Sequence, residues 1–265
     1  MENKVTAIVN QKGGIGKTTT ALNLGYALSE EGKRVLLIDF DPQASLSSAL
    51  GIKADNKANI HTLMSAAIEE METEGNYIIS IKENLDLIPS TLDLAGIEMT
   101  LVNVMSRETI LKSIIDEIKK DYDYVLIDCS PSLGTLTINA LAACDSVIIP
   151  VTPEYLSAKG LGLLVRNINL IKKRINPGIE IDGILITMLN KRTNLSKEMV
   201  KAINESTGYI KNQYDLDIKV FDNMIPISVK AGEAILHRKS VIEYEPKNQV
   251  SSAYKSFAKE WGDTK

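Results

Sequence analysis

A chain of 265 residues with 44% hydrophobic and 24% charged side chains can bury a sizeable core, and its composition excludes a disordered or fibrous polypeptide. The net charge of −4 excludes a uniformly basic coat, so any nucleic-acid contact must come from a local patch. Two cysteines, Cys129 and Cys144, with no Cys-x-x-Cys pair or histidine cluster, exclude a disulfide framework and structural zinc and point to a reducing, cytoplasmic setting.

In chain order, Val5–Asn10 reads as a first strand that runs straight into glycines, and Thr18–Glu31 as an amphipathic helix. Arg34–Asp39 is the second strand, and Val35-Leu36-Leu37-Ile38 is apolar throughout, as a strand covered on both faces must be. Ile52–Asn84 mixes a charged helical stretch with weak turn signals and reads as an insertion outside the sheet. Then come strand Leu85–Pro89, helix Ser106–Lys120, strand Tyr124–Asp128, strand Ser146–Val151 and helix Leu156–Arg174, which Asn176-Pro177-Gly178 stops. Strand Ile181–Leu189, helix Leu195–Thr207 and a last strand around Val220–Ile225 follow. Ser251–Lys265 reads as a helix that packs Tyr254, Phe257, Ala258 and Trp261 on the core. The alternation predicts an α/β, doubly wound, mostly parallel sheet with helices on both faces. No repeat, low-complexity tract or Gly/Ser linker divides it, so one domain is expected over residues 1–265. No apolar run reaches the roughly 18 residues of a membrane-spanning helix, so a soluble protein is expected.

A strand, a glycine-rich turn and a helix opening on Thr18-Thr19-Thr20 gather backbone N–H groups and a positive helix end at one point, which suits a phosphate chain. In the loop Lys12-Gly13-Gly14-Ile15-Gly16-Lys17-Thr18, the glycines let the backbone approach the anion, Lys17 reaches the terminal phosphates and the Thr18 hydroxyl can ligate Mg²⁺. The loop departs from the usual pattern, because Gln11 stands where a glycine normally precedes it and Lys12 follows. Lys12 is either a solvated side chain or a second cation for the nucleotide. Such a loop needs carboxylates at neighbouring strand ends to hold the metal and orient water. Two ends qualify: Asp39-Phe40-Asp41-Pro42-Gln43 and Asp128-Cys129-Ser130-Pro131-Ser132. Cys129 reads as a small buried hydrophobe beside the second.

These three stretches, with Asn190-Lys191-Arg192-Thr193-Asn194-Leu195 and Ile225-Pro226, resemble the deviant Walker A, switch I, Walker B and downstream motifs of the ParA/Soj family of DNA-partitioning ATPases, in the group that includes MinD and the nitrogenase iron protein. The resemblance covers most of the chain and weakens only between about Ile52 and Asn84. It implies Mg-ATP bound by Gly13, Gly14, Ile15, Gly16, Lys17, Thr18 and Thr19, with metal contacts from Thr18, Asp39 and Asp128 and water positioning by Asp41. Lys12 is implied to cross a homodimer interface and touch the other subunit's nucleotide, with Lys12, Lys17 and Asp41 as the catalytic set. Asn190 and Pro226 are candidates for reading adenine. The ATP dimer is implied to bind double-stranded DNA without sequence preference, through Arg192 and Lys230, and a ParB-type centromere-binding adaptor to stimulate hydrolysis on the nucleoid. Between Lys191 and Lys239 nine bases face six acids. The loop begins about ten residues in, so no amino-terminal helix-turn-helix is expected. The closing helix lacks the basic amphipathic face of a membrane anchor, and the cysteines do not match cluster ligands. A MinD-like spatial regulator, or an ATP-dependent scaffold with little turnover, is the alternative.

Overall fold

Strand β2 (Val35–Phe40) is buried at every position, and its side chains alternate between two core layers. Val35 and Leu37 join the layer that holds Leu24 and Leu28 of helix α1 (Lys17–Glu30); Leu36 and Ile38 join the opposite layer. A strand used on both faces needs no polar positions, hence the uninterrupted apolar run. The computed structural model describes residues 3–53, 58–72 and 77–263, apart from the side chains of 155–159. The other strands are β1 (Lys4–Ile8), β3 (Ile79–Lys82), β4 (Leu85–Ile88), β5 (Tyr124–Cys129), β6 (Ser146–Val151) and β7 (Glu180–Ile186). They form one seven-stranded sheet in the order β3-β4-β2-β5-β1-β6-β7. Every pairing is parallel except β3 with β4.

Between and beyond the strands lie α2 (Ser45–Ala49), α3 (Ile60–Ile68), α4 (Leu94–Thr100), α5 (Ile110–Ile118), α6 (Thr135–Ala143), α7 (Tyr155–Arg174), α8 (Asn194–Tyr214), α9 (Val229–Leu236), α10 (Val241–Tyr244) and α11 (Gln249–Gly262). Buried residues of α3 to α8 line one face of the sheet and those of α1, α2, α10 and α11 the other, so the sheet is doubly wound. Among the described residues no helix is long and apolar enough to cross a membrane. The closing helix packs as its sequence predicts, with Tyr254, Phe257, Ala258 and Trp261 buried. It is also pinned electrostatically: Trp261 Nε1 donates to Asp182 Oδ2 at 2.6 Å, and the Lys4 ammonium, 2.8 Å from the same oxygen, lies 4.7 Å above the indole.

Three expectations are corrected. Ile79–Lys82 belongs to the sheet as its antiparallel edge, turning into β4 through Asn84 at φ 62; residues 54–57 and 73–76 of the expected insertion, like 264–265 of the closing helix, lie outside the described residues. Val220–Ile225 is no continuous strand: it meets the ladder at the isolated bridges Ile184 to Val220 and Leu189 to Pro226 and through the Ile225 amide, which donates to the Ile186 carbonyl at 2.8 Å. The reason is local competition: the Asp222 and Asn223 amides donate to the Glu260 carboxylate of α11, at 2.7 and 2.9 Å, instead of to a neighbouring strand. The predicted helix from Ser106 to Lys120 is α continuous only over Ile110–Ile118, with single 3₁₀ turns on either side.

Close approach of this irregular segment to β7 depends on Gly183, at φ 156, where an added Cβ would lie 2.8 Å from Phe221 Cε2 and 3.0 Å from the Lys219 carbonyl oxygen. Gly183→Ala is expected to cost about 1–3 kcal/mol, because the strained backbone and a main-chain oxygen both resist it. The check is a lower urea midpoint with an unchanged slope.

Candidate nucleotide site

The glycine loop leaves β1 between β5 and β6, at the point where the sheet's connections diverge to either side. Gly14 and Gly16 take φ 71 and 87, which a side chain resists, and this turn aims the start of α1 back across the strand ends. Gly16 caps α1 with no side-chain hydrogen bond, and no acid stands in the first turn. The helix's free N–H groups and positive end are therefore unused by the chain itself. The loop's shape is held from outside: Asn10 Nδ2 donates to the Pro150 carbonyl at 2.7 Å, and Thr187 Oγ1 to the Ile15 carbonyl at 2.7 Å. Lys17 is 7% exposed, and its Nζ donates to the Lys12 carbonyl across the loop at 3.1 Å. Burial lowers its pKa, opposed by Asp128, Cys129 and Asp41.

Asp39 and Asp128 end β2 and β5 and are direct partners in the parallel register, so two carboxylates stand side by side, both buried. Burial, with a smaller push from Asp41, raises Asp39 to about 6 against two hydrogen bonds from Ser47. Asp128 is raised well above the ordinary carboxylate value, first by burial and then by Asp39, with Thr18 and Lys17 opposing. Neither oxygen of Asp128 has a hydrogen-bond partner among the described residues; Thr18 comes near without bonding geometry. A buried carboxylate left unpartnered is costly unless a cation or its water completes it. Thr18, on the first turn of α1, and these two acids fit a magnesium ion bound mainly by phosphate and water oxygens; among the described residues no cluster of three or more acid, histidine or cysteine ligands offers a protein-only cage. Asp41, 8% exposed, accepts the Gln43 amide on Oδ1 at 2.9 Å. Cys129 is buried as expected, and burial pushes its thiol pKa up.

Lys12 lies at the mouth of the loop, 43% exposed, and its ammonium pairs with Glu154 just beyond β6. Beside Gly16 and Thr19 a cavity of about 220 Å³ is walled by Met188, Pro226, Ile235 and Tyr254. Pro226 thus lies in it, whereas Asn190 is not among its lining residues; Asn190 is exposed and accepts the Arg192 amide at 3.1 Å. Lys230 pairs with Glu233 at 2.8 Å, and Lys201, Lys211 and Lys239 also have acidic partners. Lys191, Arg192 and Lys197 form no ion pair among the described residues and cluster where β7 leads into α8.

Sequence reasoning missed Ser47, Glu154 and Tyr254. Glu154 was legible by the rule that found Asp39 and Asp128, an acid just past an apolar strand next to β1. Ser47 and Tyr254 carry no local signal.

The raised Asp128 pKa has a thermodynamic consequence with a definite sign. An unfolded carboxylate loses its proton near 3.8 and the native one well above that, so native stability falls as pH rises between the two. For the nucleotide-free protein, the melting temperature of Asp128→Asn should exceed that of the wild type by a margin that widens from acid pH toward neutrality, at about 2–4 °C per kcal/mol. Scanning calorimetry reads this, and a margin flat with pH would exclude the carboxylate as its source.

A family model described as an AAA domain matches residues 3–181. The chain is 44% identical over 258 residues to the sporulation initiation inhibitor protein Soj of Bacillus subtilis, covering 97% of each. It is 38% identical over 257 residues to the chromosome partitioning protein ParA of Myxococcus xanthus, covering 97% of this chain and 87% of that protein. Among solved structures, a cobyrinic acid a,c-diamide synthase from Mycobacterium smegmatis with bound ATP analogue and magnesium superposes with a TM-score of 0.79 at 32% identity, covering 99% of this chain and 97% of that one. A plasmid partition protein from Borrelia burgdorferi bound to AMPPNP gives 0.74 at 27% identity, covering 98% and 97%. An open, unacidified helix start above two paired strand-end carboxylates, in a chain so similar to Soj and ParA over nearly its whole length, places this protein in the AAA-domain family and, within it, in the ParA/Soj group of P-loop ATPases.

Proposed function

We propose that the chain is a partition ATPase that binds Mg-ATP, dimerises on it, binds DNA as the dimer and is reset by hydrolysis. The observation that carries this reading is the uncapped, acid-free start of α1 facing Asp39 and Asp128, an anion site and a cation site at adjacent strand ends. The triphosphate takes the N–H groups of Gly13 to Thr19 and the Lys17 ammonium. Thr18, Asp39 and Asp128 are the residues that would hold magnesium, which when bound would neutralise charge on the terminal phosphates. Asp41 orients a water whose oxygen attacks the γ-phosphorus as the bond to the bridging oxygen breaks, giving ADP and phosphate. Its Oδ2 suits this, because among the described residues only Oδ1 is engaged, by the Gln43 amide. The apolar cavity beside Gly16 receives the base, with Pro226 on one wall.

Dimerisation follows from charge. A triphosphate carries more negative charge than Lys17 offsets, and two of them at a subunit boundary repel unless each gains cations from both sides. Lys12 is available, because an exposed pair such as that with Glu154 is worth only about 0–1 kcal/mol. In the dimer, Lys12 exchanges Glu154 for the partner's phosphates. The unpaired bases Lys191, Arg192 and Lys197 of two protomers then act together on DNA, and non-specific affinity rises steeply with the number of phosphates neutralised. Lys230, held by Glu233, contributes after giving up that pair. A ParB-type adaptor stimulates the hydrolytic step at the nucleoid. The relatives named for chromosome partitioning and the Borrelia protein named for plasmid partition support this reading over a membrane-bound regulator.

Asp41→Ala should keep the ATP-dependent dimer in light scattering while phosphate release falls about 10²-fold or more. Lys12→Ala should bind ATP yet stay monomeric, and an ATP dimer of normal stability would remove the crossing role. Arg192→Ala should dimerise normally but lose DNA in a salt-titrated filter assay, with a shallower salt dependence than the wild type. Phosphate release that rises only when DNA and adaptor are both present separates the partition role from a scaffold with little turnover.

A further inference from the structure

We propose that Ser47 is a positioning residue that sets the rotation of the Asp39 carboxylate, a role that rests on the assignment of Asp39 to the magnesium shell made above. Ser47 is 1% exposed, in α2. Its backbone N–H donates to Asp39 Oδ2 at 2.8 Å and its hydroxyl donates to the same oxygen at 2.6 Å. The direction of the hydroxyl bond is fixed from behind. The Ser90 N–H, which can only donate, meets Ser47 Oγ at 3.1 Å, so the hydroxyl oxygen is the acceptor there and its proton goes to the carboxylate.

The two oxygens of Asp39 are therefore unequal. Oδ2 holds two donors, while among the described residues Oδ1 meets only the Asp41 amide at 3.4 Å, the long limit of a hydrogen bond. Rotating the carboxylate would break two buried bonds, so Oδ1 is the oxygen presented to a metal-bound water. The same bonds fasten α2 to β2 just after Asp41-Pro42-Gln43, where Ala44 takes φ 50, so the loop bearing the water-orienting acid is tied to the metal-facing one. Through Ser90 the chain of bonds continues to the end of β4. Removing the hydroxyl leaves Oδ2 with one donor and frees the carboxylate to turn.

The test uses the full chain as wild type, Ser47→Ala, Ser47→Thr and Asp39→Asn, each first shown to be folded by its melting profile. Binding of a non-hydrolysable ATP analogue is measured calorimetrically in EDTA and across a Mg²⁺ titration, and phosphate release across the same titration. Ser47→Ala should raise the Mg²⁺ concentration for half-maximal effect about tenfold, the scale of losing a residue that orients a metal's ligand, with EDTA binding unchanged. Ser47→Thr, which keeps the hydroxyl, should recover most of the shift. A folded Ser47→Ala protein with wild-type Mg²⁺ dependence overturns the proposal, as does an equal loss with and without Mg²⁺, which marks a purely structural role. If Asp39→Asn also leaves the Mg²⁺ dependence unmoved, the assignment of Asp39 has failed and the positioning role falls with it.

Discussion

Two carboxylates buried side by side with too few donors are the constraint around which this protein is organised. Asp39 and Asp128 stand side by side because β2 and β5 are parallel neighbours whose register pairs these two residues directly. Burial penalises each charge first, and the charges of Asp41 on Asp39 and of Asp39 on Asp128 add to it, which is why both hold their protons above the ordinary range. Lys17 answers them only in part, being itself disfavoured as a cation by burial. The free protein therefore carries stored electrostatic strain that a divalent ion relieves, and stability withheld in the empty state becomes affinity in the loaded one.

The phosphate side complements this. The first turn of α1 has neither a capping side chain nor an acid, whereas Thr193, Ser228, Ser240 and Asn248 cap their own helices in this same chain. Helices α2, α4, α5, α6 and α7 also start without a side-chain cap or a first-turn acid, so what sets α1 apart is its place, directly after the glycine turn and beside the acidic pair. Helix capping and anion binding compete for the same donors, so those left open at the start of α1 are available to a phosphate.

What could be read in the sequence was what is written in consecutive residues. The loop from Lys12 to Thr18 and the acids ending β2 and β5 are each a strand followed directly by its functional turn, and their placement in the fold follows from the strand alone. Relations between distant residues were not legible. The Glu260 carboxylate captures the amides of residues 222 and 223 and so abolishes a strand that Val220 and Ile225 suggest by their side chains. Ile79–Lys82 was lost in a charged stretch because an edge strand has one neighbour and needs only a short apolar alternation. Lys12 stayed ambiguous because a loop lysine has the same sequence whether it faces water, Glu154 or another subunit. Ser47 was invisible because it works through a fold of the chain back onto Asp39.

The distribution of burial separates the parts of the site that must hold still from those that must move. Asp39, Asp128, Lys17 and Ser47 are nearly inaccessible and linked to strands or a helix start, so changing their geometry means disturbing the core. Lys12 and Glu154 are exposed and joined by a pair that water and salt weaken, so an incoming triphosphate can take the lysine at small cost. A ligand shifts a conformational or assembly equilibrium only by contacts that differ between the two states. Contacts to the buried set are available to a lone protomer and cannot by themselves favour pairing. In the proposed dimer the differential contact is that of the exposed Lys12, which its weak pair with Glu154 leaves free to exchange.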